Sequence, residues 1–228
     1  MSGPRGSGAD RSEPDGVRRL GIMGGTFDPI HLGHLVTAEQ VRADLDLDEI
    51  VFVPAGNPWQ KTREVTSAED RYLMVVLATA PNRCFSVSRM EIDATGPTYT
   101  VDTLRQLRAA LPDVALFFIT GADAILSILT WRDAEECLAL ATFVAATRPG
   151  HDLSALQSTG LVERVQRVDV PALAISSTDV RQRFAAGRPV TYLIPQPVEE
   201  YVGKHGLYGT PASDLGVDSR LHGGHERA

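Results

Sequence analysis

Six short apolar runs, at 18–23, 50–54, 84–88, 114–120, 142–147 and 165–170, alternate along this chain with stretches of helical periodicity at 32–45, 67–80, 99–110, 133–140, 178–186 and 196–204. No other feature constrains the fold as strongly. Alternation of this kind implies a parallel sheet whose neighbouring strands are joined through crossover helices. The expectation is therefore an α/β domain over residues 17–209, built on a doubly wound parallel sheet. Ser67 followed by Asp70 reads as a capping-box variant that opens one helix, and Pro81 with Asn82 closes it. Residues 1–16 and 210–228 are rich in Gly, Ser, Pro and charge and are expected to be disordered tails.

A sheet of this kind binds ligands outside the carboxyl ends of its strands, so chemistry is sought in the loops after residues 23, 54, 120 and 147. Composition limits which ligands to expect. A formal charge of −7 over 228 residues argues against a broad nucleic-acid-binding face. No apolar stretch reaches the ~20 residues needed to span a bilayer, and the first residues lack the apolar core of a secretory signal. Cys84 and Cys137 fit neither a zinc spacing nor a disulfide framework, which suggests inert thiols in a reducing compartment. A cytoplasmic protein acting on small molecules is expected, with assembly into homo-oligomers left open.

The first loop carries Gly24, Gly25, Thr26, Phe27, Asp28, Pro29, Ile30, His31, Leu32, Gly33 and His34, running from a strand into a helical pattern. Two glycines permit close backbone approach, and free amides at a helix start suit a polyphosphate. His31 and His34, three apart, are expected to share a helical face and to donate hydrogen bonds as charge develops on a leaving pyrophosphate. The segment matches neither a Walker loop nor a G-x-G-x-x-G fingerprint. A tight turn with locally packed histidines is the plainer alternative. A zinc site would need third and fourth ligands that the neighbourhood does not supply, so no protein-held metal is expected.

This segment resembles the H-x-G-H signature of the nucleotidyltransferase superfamily, in its nicotinate-nucleotide adenylyltransferase branch. The resemblance implies a Rossmann-like fold. The signature by itself is shared with pantetheine-phosphate adenylyltransferases, cytidylyltransferases and, in variant form, class I aminoacyl-tRNA synthetases. A second segment, Ile175-Ser176-Ser177-Thr178-Asp179-Val180-Arg181, resembles the adenylyltransferase form I-S-S-T-x-x-R. There the hydroxyls of Ser176, Ser177 and Thr178 and the Arg181 guanidinium would hold ATP phosphates; a hydroxyl-capped helix with a solvated arginine is the alternative.

Four further segments match that branch in order. Pro54 to Lys61 carries Lys61 as a candidate for the mononucleotide phosphate, although Trp59-Gln60 departs from the commoner Pro-His-Lys and resembles an actinobacterial-type variant. A mobile loop lysine is the other reading. Thr98, Tyr99 and Thr100 open a helix whose amides would receive a carboxylate and so favour an acid over its amide, unless they form only a threonine cap. Thr120-Gly121-Ala122-Asp123 would admit a nucleotide, with Asp123 on a ribose hydroxyl or acting as a cap, and Trp131 would stack on a pyridine ring or pack in the core. Thr147-Arg148-Pro149-Gly150 ends the next strand and would line an adenine pocket. The resemblance spans roughly 18–208, through Tyr192 to Pro195 and Tyr201 to Tyr208; His222 and His225 fall in the solvated tail.

The implied reaction is direct adenylyl transfer from ATP, with Mg2+ on the leaving phosphates, to nicotinate mononucleotide. His31, His34 and Arg181 are its candidate catalytic residues. Transfer to the amide mononucleotide or to phosphopantetheine, a non-catalytic nucleotide sensor, and a nucleic-acid module are the competing readings.

Overall fold

A computed structural model describes residues 17–58, 65–121, 124–125, 127–147 and 163–210. Among these lie β1 (Arg19–Gly25), α1 (Leu32–Asp44), β2 (Glu49–Pro54), α2 (Ala68–Thr79), β3 (Phe85–Val87), α3 (Thr100–Ala110), β4 (Ala115–Gly121), α4 (Ala134–Leu140), β5 (Thr142–Thr147), β6 (Val165–Asp169), α5 (Ser177–Ala185) and α6 (Gln196–His205). Short 3-10 turns cover Ile128–Thr130 and Leu207–Gly209. The strands form one parallel sheet in the order β3-β2-β1-β4-β5-β6. The order in which successive strands are added reverses between β1 and β4, which opens a crevice at their carboxyl ends.

The period of two along each central strand divides the interior into two cores. Met23, Ile50, Phe52, Phe117, Ile119, Val144 and Ala146 face α1, α2, α5 and α6, whose Val41, Met74, Val180 and Val198 are buried against them. Ile22, Val51, Val53, Leu116, Phe118, Phe143 and Ala145 face the opposite layer, with Val101 and Leu104 of α3 and Cys137 of α4. Gly21 leaves room for its neighbours in the first core: an added Cβ would fall 2.3 Å from Ile50 Cδ1 on the adjacent strand.

Helix ends follow the residues at them. Ser67 caps α2 by accepting from the Asp70 amide at 3.1 Å, and its hydroxyl donates to the Asp70 carboxylate at 2.6 Å. The last helix ends on Gly206 at φ 61°, a left-handed cap that glycine adopts without strain. Among the described residues no helix is long and apolar enough to cross a membrane.

Candidate active site

Two cavities open at the carboxyl edge of the sheet and share one residue, Thr26. The larger, about 680 Å³, lies over the start of α1 and reaches the end of β4 at Gly121, the end of β5 at Thr147, and the start of α5. The smaller, about 240 Å³, lies between the β1 loop, the start of α3, and Trp131.

In the larger cavity, His31 is the residue just before α1, with an extended backbone, and His34 is in the first turn. The sequence reading put both histidines on one helical face, whereas His31 stands outside the helix at its N-cap. The rings stack, 3.7 Å between centroids and 21° between planes. Gly33 makes this possible, because a Cβ there would lie 3.0 Å from His31 Nδ1. The His31 backbone N–H donates to His34 Nδ1 at 3.2 Å. That bond requires Nδ1 of His34 to be unprotonated, so a neutral ring carries its proton on Nε2. Phe27 packs edge-on against the same ring at 5.1 Å and holds a left-handed backbone, φ 48°, a strained conformation of the kind found at ligand-binding turns.

Burial lowers the His31 pKa to about 4. It also pushes His34 well below the usual histidine range, helped by the adjacent His31. Both rings are neutral at pH 7 in the free protein. Among the described residues the buried Nδ1 of His31 has no hydrogen-bond partner.

Several contacts tie this loop to the late part of the chain, among them a hydrogen bond from the Tyr208 hydroxyl to Asp28 Oδ1 at 2.8 Å. Arg181 donates from Nη1 to the Asp28 carbonyl at 2.6 Å and from Nη2 to Thr178 Oγ1 at 3.1 Å. Ser177 donates to the Pro29 carbonyl at 2.8 Å, while Ser176 caps α5 by accepting from the Asp179 amide. The Leu32 amide, which has no acceptor inside its own helix, reaches the Leu193 carbonyl at 2.9 Å. Ser176, Ser177, Thr178 and Arg181 therefore line the cavity together with both histidines. Gly24 and Gly25, which the sequence reading assigned to ATP, line the smaller cavity instead, and Thr26 borders both.

The smaller cavity brings Thr98, Tyr99, Thr100 and Trp131 together. Tyr99 stands at the N-cap of α3 without a side-chain capping bond, so the plain threonine-cap alternative does not hold. Thr98 instead donates to Glu91 Oε2 at 2.8 Å, and Thr103 to Glu91 Oε1 at 2.6 Å. The first amides of α3 keep no intrahelical acceptor. Trp131 is edge-on to Phe118 at 6.1 Å, and its indole N–H donates to Ser127 Oγ at 3.3 Å. Lys61, Asp123 and Arg148 lie outside the described residues.

The Cytidylyltransferase-like family model matches residues 22–183, more than half of the chain. A probable nicotinate-nucleotide adenylyltransferase of Streptomyces coelicolor is 62% identical over 82% of this chain and 98% of its own length. One from Leifsonia xyli is 60% identical over 85% of this chain and 96% of its own length. The chain belongs to the nicotinate-nucleotide adenylyltransferase family. Its fold agrees with that of the Plasmodium falciparum nicotinic acid mononucleotide adenylyltransferase solved with NaAD, at a TM-score of 0.72 and 21% identity, covering 86% of this chain and 99% of that one. The same Plasmodium protein complexed with APC gives a TM-score of 0.70 at 20% identity, with the same shares of both chains covered.

Three residues that bear on the site in this family member escaped the sequence reading. Arg71 is 1% exposed, and its guanidinium donates to the carbonyls of Thr26, Gly56 and Thr66 at 2.8, 2.9 and 2.9 Å. Its signal was available: Arg71, Met74, Val75 and Ala78 form one helical stripe, and a charge on an apolar stripe needs buried partners. Glu91 lines the smaller cavity, where burial pushes its carboxyl up while the two threonine hydroxyls and Arg71 draw it back. Arg132 lines it too, with its guanidinium 4.7 Å above the Tyr99 ring. Glu91 and Arg132 sit in irregular segments where no periodicity marks them.

Proposed function

We propose that the protein transfers the adenylyl group of ATP to nicotinate mononucleotide, releasing pyrophosphate and giving nicotinate adenine dinucleotide in NAD biosynthesis. The observation that carries this reading is the shared wall at Thr26, where a cavity bearing His31, His34 and Arg181 meets one bearing Tyr99 and Trp131. ATP occupies the first and the mononucleotide the second, so the two reacting phosphates meet beside Thr26.

An oxygen of the mononucleotide phosphate attacks the α-phosphorus. A new P–O bond forms, the bond to the bridging oxygen of the β-phosphate breaks, and its electron pair leaves with pyrophosphate. A phosphate monoester with its second pKa near ~6 is already largely ionised at neutral pH, so no general base is required. The protein's task is alignment and charge stabilisation. His34 offers its Nε2–H, the tautomer set by the His31 amide, and His31 and Arg181 complete the donor set around the developing charge. Among the described residues no group of three or more His, Cys, Asp or Glu side chains could hold a metal ion. Mg2+ would enter with ATP as part of the co-substrate and would neutralise charge on the leaving phosphates.

The remaining assignments belong to the same proposal. The first amides of α3 receive the nicotinate carboxylate, Trp131 stacks on the pyridine ring, Lys61 holds the mononucleotide phosphate, Asp123 meets a ribose hydroxyl, and Arg148 borders the adenine. A cytoplasmic setting fits the two free cysteines.

The test is pyrophosphate release with MgATP and, at matched concentrations, nicotinate mononucleotide, its amide or phosphopantetheine. Preference for the acid supports the reading; activity with phosphopantetheine alone overturns it. His34→Ala is expected to lower turnover on the order of 100-fold while leaving the fold intact. Near-normal turnover in that variant would remove His34 from the chemistry.

A further inference from the structure

The smaller cavity poses an electrostatic problem for an acid substrate. Its wall carries the Glu91 carboxylate, and the chain as a whole bears a net charge of −7. Nicotinate mononucleotide brings both a carboxylate and a phosphate. Backbone amides at the start of α3 can hydrogen-bond the carboxylate, but they serve the carbonyl oxygen of an amide as well, so by themselves they give limited discrimination by charge.

Among the described residues lining this cavity, the one cation is Arg132. Its guanidinium carbon stands 4.7 Å over the Tyr99 ring, and Tyr99 is the N-cap residue of α3. The planar guanidinium is thus anchored on the ring of the residue that caps α3, in the cavity that Thr100 at the start of that helix also lines. Among the described residues Arg132 pairs with Asp133, 3.8 Å from Nε, which is also engaged by Arg105 at 3.4 Å. Asp133 holds a left-handed backbone, φ 49°. Arg105, also paired with Asp102 and Glu136, secures that turn and with it the direction in which Arg132 leaves the chain.

We propose that Arg132 is the specificity-determining residue that favours a pyridine carboxylate over the matching carboxamide. The inference rests on the reaction proposed above and deepens it. The guanidinium offers a charge-assisted interaction to a carboxylate that a neutral amide cannot match, and it offsets the field of Glu91. Because Arg132 is solvent-accessible, the preference weakens as salt screens it.

The experiment compares the full-length protein with Arg132→Gln and Arg132→Lys at saturating MgATP. It measures kcat/KM for nicotinate mononucleotide, with its amide measured as a substrate or as a competitive inhibitor. The ratio of acid to amide affinity is expected to fall about tenfold in Arg132→Gln, through KM for the acid, and to be partly restored in Arg132→Lys. Equal losses on both ligands would mean that Arg132 only supports Tyr99, and an unchanged ratio would mean that the amides alone select; either overturns the inference. A wild-type protein inactive with the acid overturns the underlying reaction as well, which separates the two failures.

Discussion

The guanidinium of Arg71 lies 2.8 Å from the carbonyl of Thr26, the residue at which the two cavities meet. The same side chain reaches Gly56 in the loop after β2 and Thr66 ahead of α2, so a single buried cation fixes the three segments bordering that wall. Replacing it with methionine keeps the apolar stem but leaves three carbonyls without a charged donor. Arg71→Met is expected to cost about 3 kcal/mol and to lower turnover in the protein that remains folded. Urea denaturation followed by activity per folded molecule checks both parts. Unchanged stability would show that water replaces the guanidinium at no cost.

Gly33 separates geometry from stability. Glycine to alanine within a helix is ordinarily stabilising by about 0.5 to 1 kcal/mol. Here the new methyl would press on the His31 imidazole, 3.0 Å from Nδ1 and 3.1 Å from Cε1, and displace it from its stack on His34. Gly33→Ala is therefore expected to hold or raise the melting temperature while lowering kcat about tenfold. A parallel fall in both quantities would place the effect in folding rather than in the histidine pair.

The sheet was legible from the sequence because its central strands are buried on both faces and so appear as unbroken apolar runs. The loops at strand ends were legible for the same reason: once the strands are assigned, Thr26, Gly121 and Thr147 must emerge at one edge. Contacts between distant segments were less visible. Nothing local connects Ser177 to Pro29, or Thr98 and Thr103 to Glu91, and these bonds decide which side chains face the cavities. The side of the shared wall taken by Gly24 and Gly25 was likewise illegible, since it depends on the neighbouring Phe118 and Phe27 rings, not on glycine chemistry. Arg71 could have been found, as a charge on the apolar stripe of α2. Arg132 could not, because its only mark is a position over a ring thirty-odd residues earlier in the chain.

The neutral state of His31 makes stability depend on pH in a defined direction. Burial lowers its pKa from 6.5 to about 4, so the unfolded chain binds more protons than the folded one between these values. Unfolding free energy must then rise with pH across that window and be lost as pH falls through it. His31 alone contributes a loss of about 1 to 2 kcal/mol between pH 7 and pH 5. Urea midpoints at the two pH values should differ less in His31→Asn than in the wild type; equal differences would show that His31 titrates normally.

Trp131 gives a prediction confined to one substrate. It lines the smaller cavity only, wedged edge-on to Phe118 at 6.1 Å and Phe143 at 6.3 Å, and lies apart from His31, His34 and Arg181. An aromatic face stacked on a pyridine ring contributes about 0.5 to 1.5 kcal/mol beyond area burial, roughly a two- to tenfold change in affinity. Trp131→Ala is expected to raise KM for nicotinate mononucleotide at least that much, with KM for ATP little changed. Trp131→Phe should recover most of the loss, since it keeps a ring and gives up only the 3.3 Å indole bond to Ser127. If KM for both substrates rose together, Trp131 would be acting through the Phe118–Phe143 core that supports both cavities, and the pyridine ring would have to be held elsewhere.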